Sequence, residues 1–337
     1  MQMGVSEMAG WSEKSGKIAK YTISEDELWS HFNFFFSDAC KKRSTYKYGF
    51  LKAILDNFFS TIVTDSGVEI SFNNLFEKFA ENYWNLVTKY NLKQMRADGK
   101  SQFSRIETIF KSVEHDTSII SEFEFSSIIE SERINIINQV TNECKKYVVG
   151  AMYTNFDGLL YGFDLKEEKI WINPLAYDFM MKYKIELEKL NYYAWAKELE
   201  KYNCDDVLAR VLDKLEISTP HRNNLSVYRD ILKNEFEENN CFYCGKKLTK
   251  ACHVDHFIPW QLVRENRIWN FVLACPECNL KKNNKIPNND FLYKICKRNT
   301  EMITINRKNI NQDFQGYSND MMKRLWNYAK MGGYKEM

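Results

Sequence analysis

"HVDHFIPW", residues 253–260, places two of the chain's five histidines around one aspartate and closes on a proline. It lies between two Cys-x-x-C pairs, Cys241/Cys244 in "CFYCG" and Cys275/Cys278 in "CPEC". Two such pairs suit one tetrahedral Zn²⁺, because each spans a tight knuckle whose two thiolates converge on a single ion. A redox dithiol would need one pair beside a βαβ unit, and no such unit flanks these. Four thiolates leave no open coordination position, so the expected Zn²⁺ is structural. In a segment with little core of its own, such binding is worth on the order of 10 kcal/mol.

Outward from the quoted stretch, "HVDHFIP" and "IWNFVLAC" are short, apolar-rich and β-prone. Pro259 ends the first run, since proline cannot donate to a ladder. "QLVRENRI" connects the two, and "CPECNLKKNNK" carries a proline and polar residues suited to a helix start. The expected order is knuckle, strand, loop, strand, knuckle, helix. Asp255 and His256 would point to opposite faces of a regular strand, so both can face one substrate only if the strand bends or ends there.

Charge sharpens this reading. Residues 241–310 hold thirteen Lys and Arg against five Asp and Glu, whereas the whole chain carries only +2. A local basic surplus is what a phosphate backbone requires, although a solvated surface would look the same. The five other cysteines, Cys40, Cys144, Cys204, Cys252 and Cys296, are scattered, and an odd total argues against a disulfide framework. No apolar run is long enough to span a membrane, and "MQMGVSEMAGWSEKSGKIAK" lacks the apolar core of a secretion signal. A cytoplasmic location is expected.

The rest of the chain reads as mostly helical. Residues 1–20 are expected as a flexible tail, and 21–217 as a mainly helical domain. Ser24 followed by Glu27 in "TISEDELW" predicts a capping box. Phe72, Leu75, Phe76, Phe79 and Tyr83 recur at helical spacing and form a core stripe. "KYVVGAM", "LLYGF" and "KIWI" are β-rich runs separated by turn residues, which predicts a three-stranded meander over 146–172. Residues 218–235 are expected as a linker and helix, 236–300 as the cysteine-bearing module, and 301–337 as an extension with a short helix. The fold class is α+β, with a helical N-terminal region followed by a zinc-stabilised ββα module.

The pattern "C-F-Y-C … H-V-D-H-F-I-P-W … W-N-F-V-L-A-C-P-E-C-N-L-K-K", covering about residues 236–290, resembles the HNH, or ββα-metal, endonucleases of the four-cysteine type. The resemblance implies that Asp255 and Asn279 hold a catalytic Mg²⁺ or Mn²⁺, that His256 is the general base, and that Asn270 helps set its position. The position of Asn279 is a histidine in many relatives. Lys282, one helical turn on, would meet a phosphate, with Lys281 and Lys285 beside it as further nucleic-acid contacts or as a solvated helix face. "STYKYGFLKAIL" and "ENYWNLVTKYNLKQ" loosely resemble helical regions that precede the nuclease module in bacterial restriction and defence proteins. That similarity implies target choice or docking of a protein partner.

The chemistry is consistent with the resemblance. Phosphodiester hydrolysis needs a base for the attacking water and a cation on the developing charge. A neutral imidazole can take a proton at pH 7, and a hard divalent ion prefers oxygen donors. His256 could also be a buried structural histidine or a stand-in zinc ligand, and Asn270 a turn residue. His253 is left outside catalysis, and Trp260 and Trp269 are read as packing. Three functions follow: an endonuclease acting on double-stranded DNA in restriction or defence, a non-catalytic zinc-stabilised nucleic-acid-binding module, or an RNA-cleaving toxin or processing nuclease of the same fold.

Overall fold

Ser24 starts the first helix as its spacing with Glu27 predicts: its Oγ accepts the Glu27 N–H at 3.2 Å, capping α1 (Glu25–Phe36). The structure, a computed structural model, describes residues 13–20, 22–59, 62–64, 67–96, 102–117, 124–217, 225–234, 236, 238–249, 251–304 and 313–337. These divide into two compact units, one drawn from 1–58, 62–180 and 186–219, the other from 59–61, 181–185 and 220–337. Among the described residues no helix is long and apolar enough to cross a membrane.

In the first unit, α2 (Tyr46–Asp56) packs on α3 (Phe72–Thr88). The predicted stripe of Phe72, Leu75, Phe76, Phe79 and Tyr83 is fully buried. Each such side chain contributes about 1.5–3 kcal/mol on removal from water. Helices α4 (Arg105–Thr117) and α5 (Glu130–Tyr147) close over α3.

The β-structure departs from the expected meander. "KYVVGAM" is helical: after α5, residues Val149–Asn155 form α6. Val149, Met152 and Phe156 are buried at helical spacing, and this shared burial overrides the strand propensity of Val148 and Val149. "LLYGF" and "KIWI" do supply strands, Tyr161–Asp164 and Lys169–Ile172. Their sheet has five antiparallel strands: β1 (Ser15–Gly16), β2 (Ile62–Thr64), β3 (Gly67–Ser71), β4 (Tyr161–Asp164) and β5 (Lys169–Ile172). They lie in the order β1-β4-β5-β3-β2. The expected tail is therefore shorter at its inner end, since Ser15 and Gly16 pair with Asp164 and Phe163. A Cβ on Gly16 would lie 2.6 Å from the Phe163 ring and 2.8 Å from the Tyr153 ring, so the strand docks because this residue has no side chain.

The second unit is larger than the 236–300 module read from sequence. Helix α11, counted after α7 (Pro174–Lys182), α8 (Lys184–Glu200), α9 (Asp205–Leu208) and α10 (Val211–Ile217), spans Ser226–Asn234. It buries Leu232 and sets the Tyr228 ring 4.6 Å from that of Phe271. The part of the expected linker at 218–224 lies outside the described residues. The presumed extension is also part of this unit: Asn319–Met331 forms a helix whose Met322, Leu325 and Ala329 are buried. Its Trp326 Nε1 donates to the Pro287 carbonyl at 2.6 Å, while Ile286 N donates to the Lys335 carbonyl at 3.0 Å and the Ile286 carbonyl accepts from Met337 N at 2.8 Å.

At the centre of this unit, β6 (His253–His256) pairs antiparallel with β7 (Phe271–Ala274). Between them lies the short helix α12 (Trp260–Val263), stopped by Arg264 at φ +55°. After β7 comes α13 (Pro276–Lys282), with Pro276 in its first turn. This is the expected knuckle, strand, loop, strand, knuckle, helix order. Behind it, α14 (Asn289–Thr304) supports the hairpin: Arg298 Nη1 donates to the Phe271 carbonyl at 2.5 Å, and Asn299 Nδ2 to the Trp269 carbonyl at 2.9 Å.

Candidate active site

The four predicted cysteines converge. The sulfurs of Cys241, Cys244, Cys275 and Cys278 all lie within 4.8 Å of one another, and Cys244 Sγ is 3.8 Å from Cys275 Sγ. Tetrahedral Zn²⁺ with Zn–S bonds of about 2.3 Å requires sulfur–sulfur edges of roughly 3.8 Å, so the donor set fits zinc. The first knuckle is closed by backbone bonds, Cys241 N to Lys246 O at 2.8 Å and Gly245 N to Cys241 O at 2.9 Å. Gly245 takes φ +71°, the left-handed geometry that the turn after the second thiolate requires. Burial pushes the Cys241 thiol up, but backbone N–H groups of Cys244, Cys275 and Tyr243 directed at it outweigh that and bring it to about 7. These backbone donors favour a thiolate at Cys241, whereas burial and the other three thiols push the Cys278 thiol up.

Asp255, His256, Asn279 and Lys282 line one cavity of about 380 Å³, together with His253 and Trp260. The hairpin meets the condition set by strand alternation, because β6 ends at His256. Beyond it, Phe257 N donates to Asn270 O at 2.7 Å, and the chain turns into α12. The two neighbours then find partners on different elements. Asp255 Oδ2 accepts the Tyr243 hydroxyl at 2.6 Å from the first knuckle, and Oδ1 lies 3.3 Å from Lys282 Nζ on α13. His256 packs edge-on against Phe271 and Trp260, with Nε2 3.4 Å from Asn266 Oδ1 in the connecting loop. Burial pushes the Tyr243 phenol well above 10, and the Asp255 charge adds to the effect. Tyr243 is therefore a protonated donor to that carboxylate.

One expectation changes. Lys282 was expected to meet a phosphate; it is only 1% exposed, and its Nζ donates to the His256 carbonyl at 2.6 Å as well as facing Asp255. A lysine that deep is held by an anion and a carbonyl, because a buried ammonium needs compensation. It therefore ties α13 to β6. Asn270, expected to help set the position of His256, is fully buried and does not line the cavity. Its Oδ1 accepts from Ile258 N at 2.8 Å and its Nδ2 donates to Ile258 O at 3.0 Å. It clamps the backbone two residues past His256 and positions the turn.

Asn279 is half-buried on α13 and borders the cavity, whereas Lys281 is exposed and Lys285 half-buried outside its lining. Trp269 is fully buried, as read. Sequence reasoning missed Tyr243, Asn266 and Arg298. Tyr243 was visible only as a residue between two ligands, and its partner is twelve positions away.

No curated protein and no solved structure matches the chain significantly. Residues 39–153 match the model of a domain of unknown function (DUF8808). Residues 241–285 match the model of the HNH endonuclease family, and they span both knuckles, the hairpin and α13. With its four-cysteine cluster, the second unit of this chain contains an HNH endonuclease domain.

Proposed function

We propose that the chain is a metal-dependent endonuclease that hydrolyses phosphodiester bonds of double-stranded DNA, in restriction or anti-phage defence. The observation that carries the reading is the meeting of Asp255, His256 and Asn279 on one cavity beside a four-thiolate cluster.

His256 is the general base. Its Nε2 lies 3.4 Å from Asn266 Oδ1, and in the tautomer that donates there the other ring nitrogen, Nδ1, is the one that takes the proton of the attacking water. Asp255 and Asn279 present a carboxylate and a carboxamide, a hard oxygen donor set that fits Mg²⁺ or Mn²⁺. The ion, when bound, stabilises the charge that builds on the phosphate oxygens. Tyr243 and Lys282 hold Asp255 in place, and the nearby ammonium offsets part of its charge. Binding of the ion therefore depends on substrate phosphate as much as on protein. Asn270 is a positioning residue. Lys281 and Lys285 contribute charge toward the DNA backbone. The helical first unit selects the target or docks a protein partner.

The test incubates supercoiled plasmid and structured RNA with the protein and Mg²⁺ or Mn²⁺, beside His256→Ala. The expected result is nicked or linear DNA with wild type, and none with the variant at unchanged zinc content and melting temperature. Cleavage of RNA alone moves the substrate class, and undiminished cleavage by the variant removes His256 from its role.

A further inference from the structure

The first unit holds a larger cavity that the nuclease reading does not use. It measures about 790 Å³, within the size range of small-molecule sites. Five cations line it, Lys41, Lys42, Arg43, Lys47 and Arg105, against one carboxylate, Glu143. All its lining residues fall within 39–153, the stretch that matches the domain of unknown function.

The charges are not consumed by ion pairs. Lys42 Nζ donates to the Phe35 and Cys40 carbonyls at 2.6 and 3.0 Å. Lys47 Nζ donates to Asn155 Oδ1 at 2.6 Å and to the Lys41 carbonyl at 3.5 Å. Among the described residues, none of the five cations forms an ion pair with a carboxylate. Burial pushes the Lys42 and Lys47 ammonium groups down, and for Lys47 the Lys42 charge adds to it. Burial also pushes the Glu143 carboxyl up, against the pull of Arg105 and Lys146. A cavity with this balance is stabilised by an incoming anion.

The aromatic lining narrows the anion. Phe103 and Tyr147 border the same cavity and are 37% and 40% exposed. A lysine ammonium covers one face of each ring, Lys111 at 3.9 Å and Lys146 at 4.9 Å from the centroid, which leaves a planar ligand the opposite face. Inorganic phosphate or an acidic peptide would use the cations but leave these flat surfaces idle. A base stacks on such rings, and guanidinium and ammonium groups bind its phosphate.

We propose that this cavity is a nucleotide-binding site, taking one nucleoside phosphate between the Lys41–Lys47 segment and the start of α4. The ligand is a free nucleotide or a nucleotide unit of a strand, since both present the same base and phosphate. The site is independent of cleavage by the second unit.

The full-length protein is titrated calorimetrically, without divalent ion, with the four deoxynucleoside monophosphates, inorganic phosphate and a single-stranded tetranucleotide. Mononucleotides contain no phosphodiester bond for the second unit to act on. At least one mononucleotide is expected to bind saturably and more tightly than phosphate. Arg43→Gln with Arg105→Gln, both exposed positions, is expected to weaken it by about tenfold or more, and Lys323→Gln, an exposed position in the second unit, to leave it unchanged. A tighter tetranucleotide identifies a strand as the source; a tighter mononucleotide identifies a free ligand. If the double variant melts early, protection of Lys41 and Lys47 from acetylation in wild type, read by mass spectrometry, replaces it. No mononucleotide binding, phosphate binding as tightly as every nucleotide, unchanged affinity in a folded double variant, or unprotected lysines overturns the proposal.

Discussion

The four-thiolate cluster and the cavity beside it lie on the same hairpin and helix, yet they solve opposite problems. The cluster is closed: four soft donors surround one point, and backbone turns fix the knuckle. The cavity is open: about 380 Å³ bordered by a carboxylate, an imidazole and a carboxamide. The first leaves no position for a further ligand, and the second leaves room for one. The difference teaches that cysteine count alone says nothing about chemistry in this unit. What matters is whether a donor set leaves room for another ligand.

Breaking the closed side is expected to have the largest effect. Cys275→Ser should lose zinc and melt the second unit, because binding on the order of 10 kcal/mol is forfeited. Metal analysis and calorimetry check it; full zinc content with an intact transition would refute it. On the open side, His256→Ala should slow DNA cleavage by roughly 10²–10⁴-fold while zinc content stays the same, a separation that single-turnover plasmid nicking can read.

Lys282 joins the two sides and sharpens the contrast. Lys282→Met leaves Asp255 buried without its cation, which costs about 3–5 kcal/mol of stability. Had Lys282 been a phosphate contact, the variant would instead keep its stability and lose DNA affinity with a shallower salt dependence. Asn270→Ala strands both the Ile258 N–H and its carbonyl, at about 1–3 kcal/mol each on chemical denaturation. Cleavage should fall through misplacement of His256, with the pH profile of the reaction retained. The smallest effect is expected from Tyr243→Phe, which removes one hydrogen bond to a carboxylate and about 1.5–3 kcal/mol. If that variant raises the Mg²⁺ concentration needed for half-maximal cleavage, the hydroxyl orients Asp255.

Much of this was legible in the chain because it depends on short spacings. Cys-x-x-C reports a knuckle, Ser24 to Glu27 a cap, and Phe72 to Tyr83 a buried helical face. Each is set by neighbours within a turn or two. The misreadings share one cause. "KYVVGAM" has strand propensity but helical burial, residues 13–20 look like a tail but join a sheet at 161–164, and Lys282 looks like surface charge but is buried. In each instance the deciding partner is far away in sequence.

By itself, then, the sequence determined the four-sulfur ligand set and the strand–loop–strand–helix order, and its resemblance to HNH endonucleases singled out Asp255, His256 and Asn279 as the candidate chemical groups. The tertiary structure decided that those three share a cavity, that Lys282 and Tyr243 brace the carboxylate, and that five cations gather around a second cavity in the first unit. The physical reason is that ligand spacing and helix periodicity are local properties of the backbone. Burial and charge compensation depend on which distant side chains the fold brings together.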